Sequence, residues 1–157
     1  MIALNQRYSY QDIFASMQIL SEKFPEFTIC RIIGQSHDDR QIPMMRVGLG
    51  METLICTAGV HGRESINPVL LLRMMEEYCT AYKEYDRIDG IEVFPLLNRY
   101  SICFVPLVNP DGYEIALHGY GIIQNPLLRR MCRRRNINYQ DWKYNARGVD
   151  INRNFPF

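Results

Sequence analysis

The constraint that narrows the fold most is a strand-like apolar run that passes almost directly into a helical pattern. Leu54-Ile55-Cys56-Thr57-Ala58-Gly59-Val60 is short, apolar and without clean alternation. A strand with one wet face alternates with period two, so this run predicts a strand buried on both faces of a helix-covered sheet. From Asn67 to Tyr82 the residues Val69, Leu70, Leu72, Met74, Met75 and Tyr78 fit a long amphipathic helix, with Ser65 as its cap and Pro68 in its first turn. Tyr100 to Val105 reads as another buried strand. Strand, helix and strand in succession point to an α/β domain.

The flanking segments extend that reading. Ser9 to Phe24 places Ile13, Phe14, Met17, Ile19 and Leu20 near helical spacing, Ser9 and Asp12 resemble an N-terminal capping pair, and Pro25 ends the segment. Phe27 to Ile33 predicts a strand, Gly34 to Asp39 a polar turn, and Ile42 to Leu49 a second strand, together a hairpin. Asn109-Pro110-Asp111-Gly112 has the residue types of a tight turn. Gly119 to Asn138 reads as a loop and a short helix ending in basic residues. The fold class expected is α/β, a mixed central sheet flanked by helices, in one domain over residues 1–157.

Composition excludes rather than identifies. With 47% hydrophobic and 22% charged residues the chain can bury a core, and its net charge of +1 steers it toward neither nucleic acid nor anionic lipid. The N-terminus lacks a secretory pattern and no apolar run is long enough to span a bilayer, so a soluble, cytoplasmic protein without membrane or nucleic-acid partners is expected. Cys30, Cys56, Cys79, Cys103 and Cys132 are odd in number and scattered, which suits buried thiols in a reducing compartment.

Two constellations carry chemistry. His61-Gly62-Arg63-Glu64 lies between a strand end and a helix start, the edge where α/β sheets place ligand sites. Imidazole and carboxylate three residues apart can converge on a catalytic zinc, which takes three protein ligands and leaves a position open. The same residues also fit a strand end followed by an acidic first helical turn, favoured by the helix dipole. The second constellation runs from Asn145 through Gly148, Val149, Asp150, Ile151, Asn152 and Arg153 to Pro156. Arg153 can donate two parallel hydrogen bonds to a carboxylate and Asn152 can add a neutral donor, a pairing suited to a peptide's free C-terminus. Arg129, Arg130, Arg133, Arg134 and Arg135 form the strongest local charge feature, read as a solvated basic stretch because no stacking aromatics interleave it. His37 and His118 sit in no ligand motif and are assigned structural roles.

Together these motifs make the chain resemble the zinc carboxypeptidase family, the relatives of carboxypeptidases A and B. His61-Gly62-Arg63-Glu64, Asn109-Pro110-Asp111-Gly112 and Gly148 to Phe155 occur in the family's order, joined by the weaker stretch Gly34 to Arg40. The resemblance implies a zinc carboxypeptidase-like domain of which this chain is the N-terminal part, truncated before the C-terminal half. It implies that His61 and Glu64 bind one Zn2+, with the third ligand, a histidine, and the general base, a glutamate, beyond Phe157. It assigns Asn152 and Arg153 to a peptide substrate's free carboxylate, places Arg63 in the substrate cleft, and gives Asp150 to the outer nitrogen of His61. Many members carry an arginine seven residues before the aspartate; here Lys143 stands in that place, keeping the charge for a developing oxyanion without the bidentate fork. Trp142 to Asp150 is similar to the branch that cleaves γ-D-glutamyl bonds to diamino acids in peptidoglycan peptides. The implied function is hydrolysis of a C-terminal or γ-D-glutamyl amide bond, with the fragment inactive by itself. A non-catalytic remnant that binds peptide carboxylates or acts through protein contacts is the alternative.

Overall fold

A computed structural model describes residues 2–155; Met1, Pro156 and Phe157 lie outside them. Helix α1 spans Tyr10–Lys23 and starts on the expected cap: Asp12 N–H donates to the Ser9 side chain, and Ser9 N–H donates to the Asp12 carboxylate at 2.8 Å. These reciprocal bonds satisfy helix-end donors that would otherwise need water. The Ser9 hydroxyl and backbone N–H together hold the Asp12 carboxyl below its ordinary value of 3.8. A depressed carboxyl stabilises the fold above its unfolded value, and the contribution is lost as pH falls through the folded one. Ser9→Ala is therefore expected to cost about 1 kcal/mol near neutrality, and the gap between variant and parent in thermal unfolding should narrow as pH falls from about 4. A gap that does not change with pH would assign the effect to something other than this pair.

The hairpin follows as β1, Thr28–Gln35, and β2, Gln41–Val47, paired antiparallel with a bulge between Ile32 and Gly34. Strand β1 thus runs two residues into the stretch predicted as a turn. After β3, Glu52–Thr57, comes α2, Ile66–Glu84, whose buried Val69, Leu72, Met75, Cys79 and Tyr82 recur every three or four residues along one face. Ser65 stands at the predicted cap without a side-chain capping bond. A small ribbon, β4 Arg87–Ile88 with β5 Ile91–Glu92, leads into α3, Val93–Arg99, which sequence periodicity did not reveal. Strand β6, Tyr100–Val105, is buried as expected, and α4, Pro110–His118, and α5, Pro126–Arg133, complete the helices.

The larger sheet has the order β1-β2-β6-β3, antiparallel except for the parallel pair β3–β6. Cross-strand register explains which face is dry. The row Cys30, Met45, Phe104, Cys56 lies on the side covered by α1 and α2, and Met45 and Phe104 are fully buried with Ile13, Met17, Leu72 and Met75. The next row, Ile29, Arg46, Cys103, Ile55, faces the other side, where Ile29 is exposed and Ile55 is 71% exposed.

Two expectations are corrected here. Strand β3 is not buried on both faces: it is an edge strand, and all but Cys56 of its residues are exposed. The cause is position, since an apolar run records what a strand could bury and not what covers it. Asn109-Pro110-Asp111-Gly112 is no isolated turn either, but the cap and first turn of α4, with Gly112 N–H donating to the Asn109 side chain at 3.0 Å. Pro at the first helical position accounts for this, because its missing N–H costs nothing there.

An unpaired edge beside exposed Leu54, Ile55 and Met51 is a template for strand pairing between copies. The isolated chain is expected to self-associate as its concentration rises, and Ile55→Lys to suppress this. Sedimentation velocity giving one monomeric species for the parent chain across the concentration range would refute the expectation.

Candidate active site

Strand β3 and β6 stop together, and the chain beyond them is stitched rather than loose. Ala58 N–H donates to Val105 O, Val108 N–H to Ala58 O and Asn109 N–H to Gly59 O, each at 3.0 Å. This carries the two strand ends outward side by side and delivers His61 past the sheet edge. Glu64 N–H then donates to His61 O at 3.1 Å, a turn that points both side chains the same way. His61 Nδ1 lies 2.9 Å from Glu64 Oε1.

Asp150 approaches from the far end of the chain. Asn145 builds its loop: the Asn145 side-chain oxygen accepts from Arg147 N–H and Val149 N–H at 2.9 and 3.0 Å. Asp150 Oδ1 lies 3.2 Å from His61 Nε2, and Lys143 Nζ donates to Asp150 Oδ2 at 2.8 Å. The Lys143 ammonium, and secondarily His61, hold the Asp150 carboxyl below the usual carboxylate range. The four groups are partly buried, with side chains 22% exposed for His61, 38% for Glu64, 13% for Asp150 and 35% for Lys143.

What could sit there follows from the imidazole. A neutral ring has one N–H and one lone pair, yet carboxylates face both nitrogens. If Nε2 donates to Asp150, the Nδ1 lone pair confronts an anionic oxygen, which is repulsive unless a proton or a cation lies between. A cation shared by the two atoms would remove that repulsion, and an imidazole nitrogen beside a carboxylate oxygen is a donor pair that zinc takes. The pair therefore fits two ligands of a zinc ion, with Asp150 as the carboxylate that orients the histidine. Among the described residues no group of three or more His, Cys, Asp or Glu could hold a metal by itself.

The remaining expected residues are not drawn into this cluster. Arg63 is exposed. Asn152 N–H donates to Asp150 Oδ1 at 3.1 Å in the short 3-10 turn Ile151–Arg153, but its side chain faces solvent. Arg153 is folded back, with Nη1 donating to Asn152 O at 3.1 Å. His37 is exposed, and His118 Nε2 lies 3.8 Å from Glu114, away from His61.

Sequence reading missed the residue that joins the two halves of the site. Asn109 is 2% exposed, and its Nδ2 donates to Val60 O, just before His61, and to Tyr144 O, just after Lys143, both at 3.1 Å. Gly62 and Gly112 let these backbones touch: a Cβ on Gly62 would stand 2.1 Å from Gly112 O, and one on Gly112 would stand 2.4 Å from Tyr144 O. The available signal was Asn-Pro immediately after a strand, read only as a turn.

The sequence profile described as zinc carboxypeptidase matches residues 13–157. The chain is 32% identical over 159 residues to the uncharacterised protein YqgT of Bacillus subtilis (strain 168), covering 98% of this chain and 42% of that protein. It is 29% identical over 154 residues to gamma-D-glutamyl-L-diamino acid endopeptidase 1 of Lysinibacillus sphaericus, covering 96% of this chain and 38% of that protein. The chain thus spans about two fifths of the length of these relatives. In three dimensions it matches bovine thrombin-activatable fibrinolysis inhibitor with a TM-score of 0.66 at 19% identity, over 90% of this chain and 38% of that one, a likeness of fold. No helix among the described residues is long and apolar enough to cross a membrane.

Proposed function

The chain belongs to the zinc carboxypeptidase family, and from that premise we propose that it forms part of a zinc-dependent metallopeptidase hydrolysing a C-terminal or γ-D-glutamyl amide bond, with peptidoglycan peptides as the substrate class. The observation that carries this reading is the line of contacts from Glu64 through His61 and Asp150 to Lys143. The 29% identity to a γ-D-glutamyl endopeptidase supports the choice of bond.

In this reading His61 Nδ1 and Glu64 are two of three protein ligands, the third lying in the part of its relatives that this chain does not span. Bound there, zinc supplies the Lewis acidity that amide hydrolysis needs. Asp150 accepts from His61 Nε2–H and thereby keeps the Nδ1 lone pair facing Glu64. Lys143 neutralises Asp150 at rest and offers its ammonium to negative charge developing on the scissile carbonyl oxygen. Asn152 and Arg153 receive the substrate's free carboxylate, Arg153 by swinging away from the backbone oxygen it now contacts, and Arg63 contacts the substrate beside them.

Zinc affinity measured by competition with a chromophoric chelator tests the ligand set. Asp150→Asn is expected to weaken binding about 10–100-fold, and His61→Ala to abolish it; equal affinity in parent and variants would sink the assignment. Mass spectrometry of a γ-D-glutamyl-diaminopimelate peptide and of an ordinary C-terminal peptide tests the reaction. The 157-residue chain is expected to cleave neither. Turnover by that chain alone would overturn the placement of a ligand and the general base outside it.

A further inference from the structure

We propose that the arginine face of α5 is a docking surface for an acidic peptide, extending the candidate site outward from Lys143. The inference rests on the peptidase reading for its choice of a peptide, and on the following geometry for the rest.

Five of the chain's 18 Lys and Arg residues fall in Arg129, Arg130, Arg133, Arg134 and Arg135, on α5 and the two residues after it. Residues 129 and 133, and 130 and 134, are one helical turn apart, so four guanidiniums share neighbouring stripes. They line a shallow groove of about 400 Å³ whose other wall residue is Pro126. Arg130, Arg133, Arg134 and Arg135 are exposed. No ion pair between any of the five and a carboxylate occurs among the described residues, although Arg40, Arg73, Arg87 and Arg99 all find one. A merely solubilising surface intersperses both signs; an uncompensated cluster raises the local potential and favours an anionic partner.

The platform is also held in place. Cys132 is 1% exposed and packs with Ile115, Ile123 and Trp142, anchoring the inner side of α5. Arg129 donates through Nε and Nη2 to Ile123 O at 2.8 and 2.5 Å, so one wall of the groove is positioned before any ligand arrives.

Continuity with the site selects the partner. The Arg135 guanidinium lies 5.0 Å from the Tyr144 ring centroid, and Lys143 Nζ lies 5.3 Å from the same centroid. Tyr144 thus carries both cations, one belonging to the arginine cluster and one bonded to Asp150 beside His61. A peptide leaving Lys143 past Tyr144 meets Arg135 and then the α5 groove. Guanidiniums there match carboxylates bidentately, so the peptide that fits carries several acidic side chains or termini. Nucleic acid is less suited, since no aromatic residue is interleaved with the arginines to stack on bases.

Fluorescence anisotropy of labelled hexaglutamate with the 157-residue chain tests this without requiring zinc or turnover. Binding should weaken with added salt, and the combined variant Arg130→Glu/Arg133→Glu/Arg134→Glu should raise Kd at least about 10-fold, with circular dichroism confirming that the variant is folded. Arg135→Ala should weaken binding less, and His61→Ala should leave it unchanged. Unaltered hexaglutamate binding in the triple variant overturns the proposal. So does loss in His61→Ala with retention in the triple variant, which would place the peptide at the metal ligands and spare the peptidase reading. Tighter binding of a short DNA duplex or of phosphatidylserine vesicles than of hexaglutamate, abolished by the triple variant, would replace the peptide by another class of partner. If His61→Ala and Asp150→Asn leave a measurable zinc affinity unchanged while the α5-dependent binding holds, the metal-ligand assignment fails and the docking surface stands.

Discussion

Arg40→Ala should lower the unfolding free energy by about 3–5 kcal/mol, read as a shift in the urea midpoint with an unchanged slope. Arg40 is 9% exposed, and Nη1 donates to Asp38 at 2.7 Å and Asp111 at 2.8 Å, while Nη2 donates to Ile122 O at 3.0 Å. The two carboxylates are 2% and 1% exposed. Asp38 also accepts from the backbone N–H groups of Gln124 and Asn125, and Asp111 from Ser36 Oγ and Asp38 N–H. Alanine would leave two neighbouring buried anions without their cation, and the desolvation penalty then falls on both. Arg40→Lys should recover only part of the loss, because an ammonium cannot span both carboxylates and a carbonyl in one plane. Combining Arg40→Ala with Asp111→Asn should recover more than additivity allows, since it removes one stranded charge. A loss below about 1 kcal/mol would mean that the ion cluster contributes no more than a surface pair.

Asn109→Ala should cost about 2–4 kcal/mol and weaken zinc binding as well. The stability term combines a lost helix cap with a buried Gly112 N–H left without an acceptor. The zinc term arises because the same side chain holds Val60, next to His61, and Tyr144, next to Lys143. Without it the two segments that bring His61 to Asp150 are joined by less, and a ligand loosened by a fraction of an ångström binds metal less well. Asn109→Asp separates the effects. It keeps the acceptor for Gly112 N–H but sets a carboxylate oxygen against two carbonyls, so the cap survives and the bridge does not. If Asn109→Asp bound zinc like the parent chain, Asn109 would be a helix cap and nothing more. Urea unfolding and chelator competition on the same samples provide the two readouts.

The α5 arginines were plain as a charge cluster, yet nothing in their spacing told that Arg135 and Lys143 both reach the Tyr144 ring. Helix α3 was hidden because Val93 to Arg99 is too short to display a period, and Pro95 lies within it. Gly62 and Gly112 stood in recognised motifs, but their need to be glycine comes from a contact between segments fifty residues apart in sequence.

The succession of α1, hairpin, β3, α2 and β6, the cap of α1, and the chemical types at His61, Glu64, Lys143 and Asp150 were all determined locally. They depend on residues within a turn or two of each other, where periodicity, capping and turn preference act. Tertiary structure alone decided that β3 pairs in parallel with β6, that Asn109 ties two loops together, and that Asp150 and Lys143 close on His61 from the far end of the chain. Each of these is a contact across a long sequence separation, and such contacts are set by how whole layers pack rather than by the identity of any neighbour in the chain.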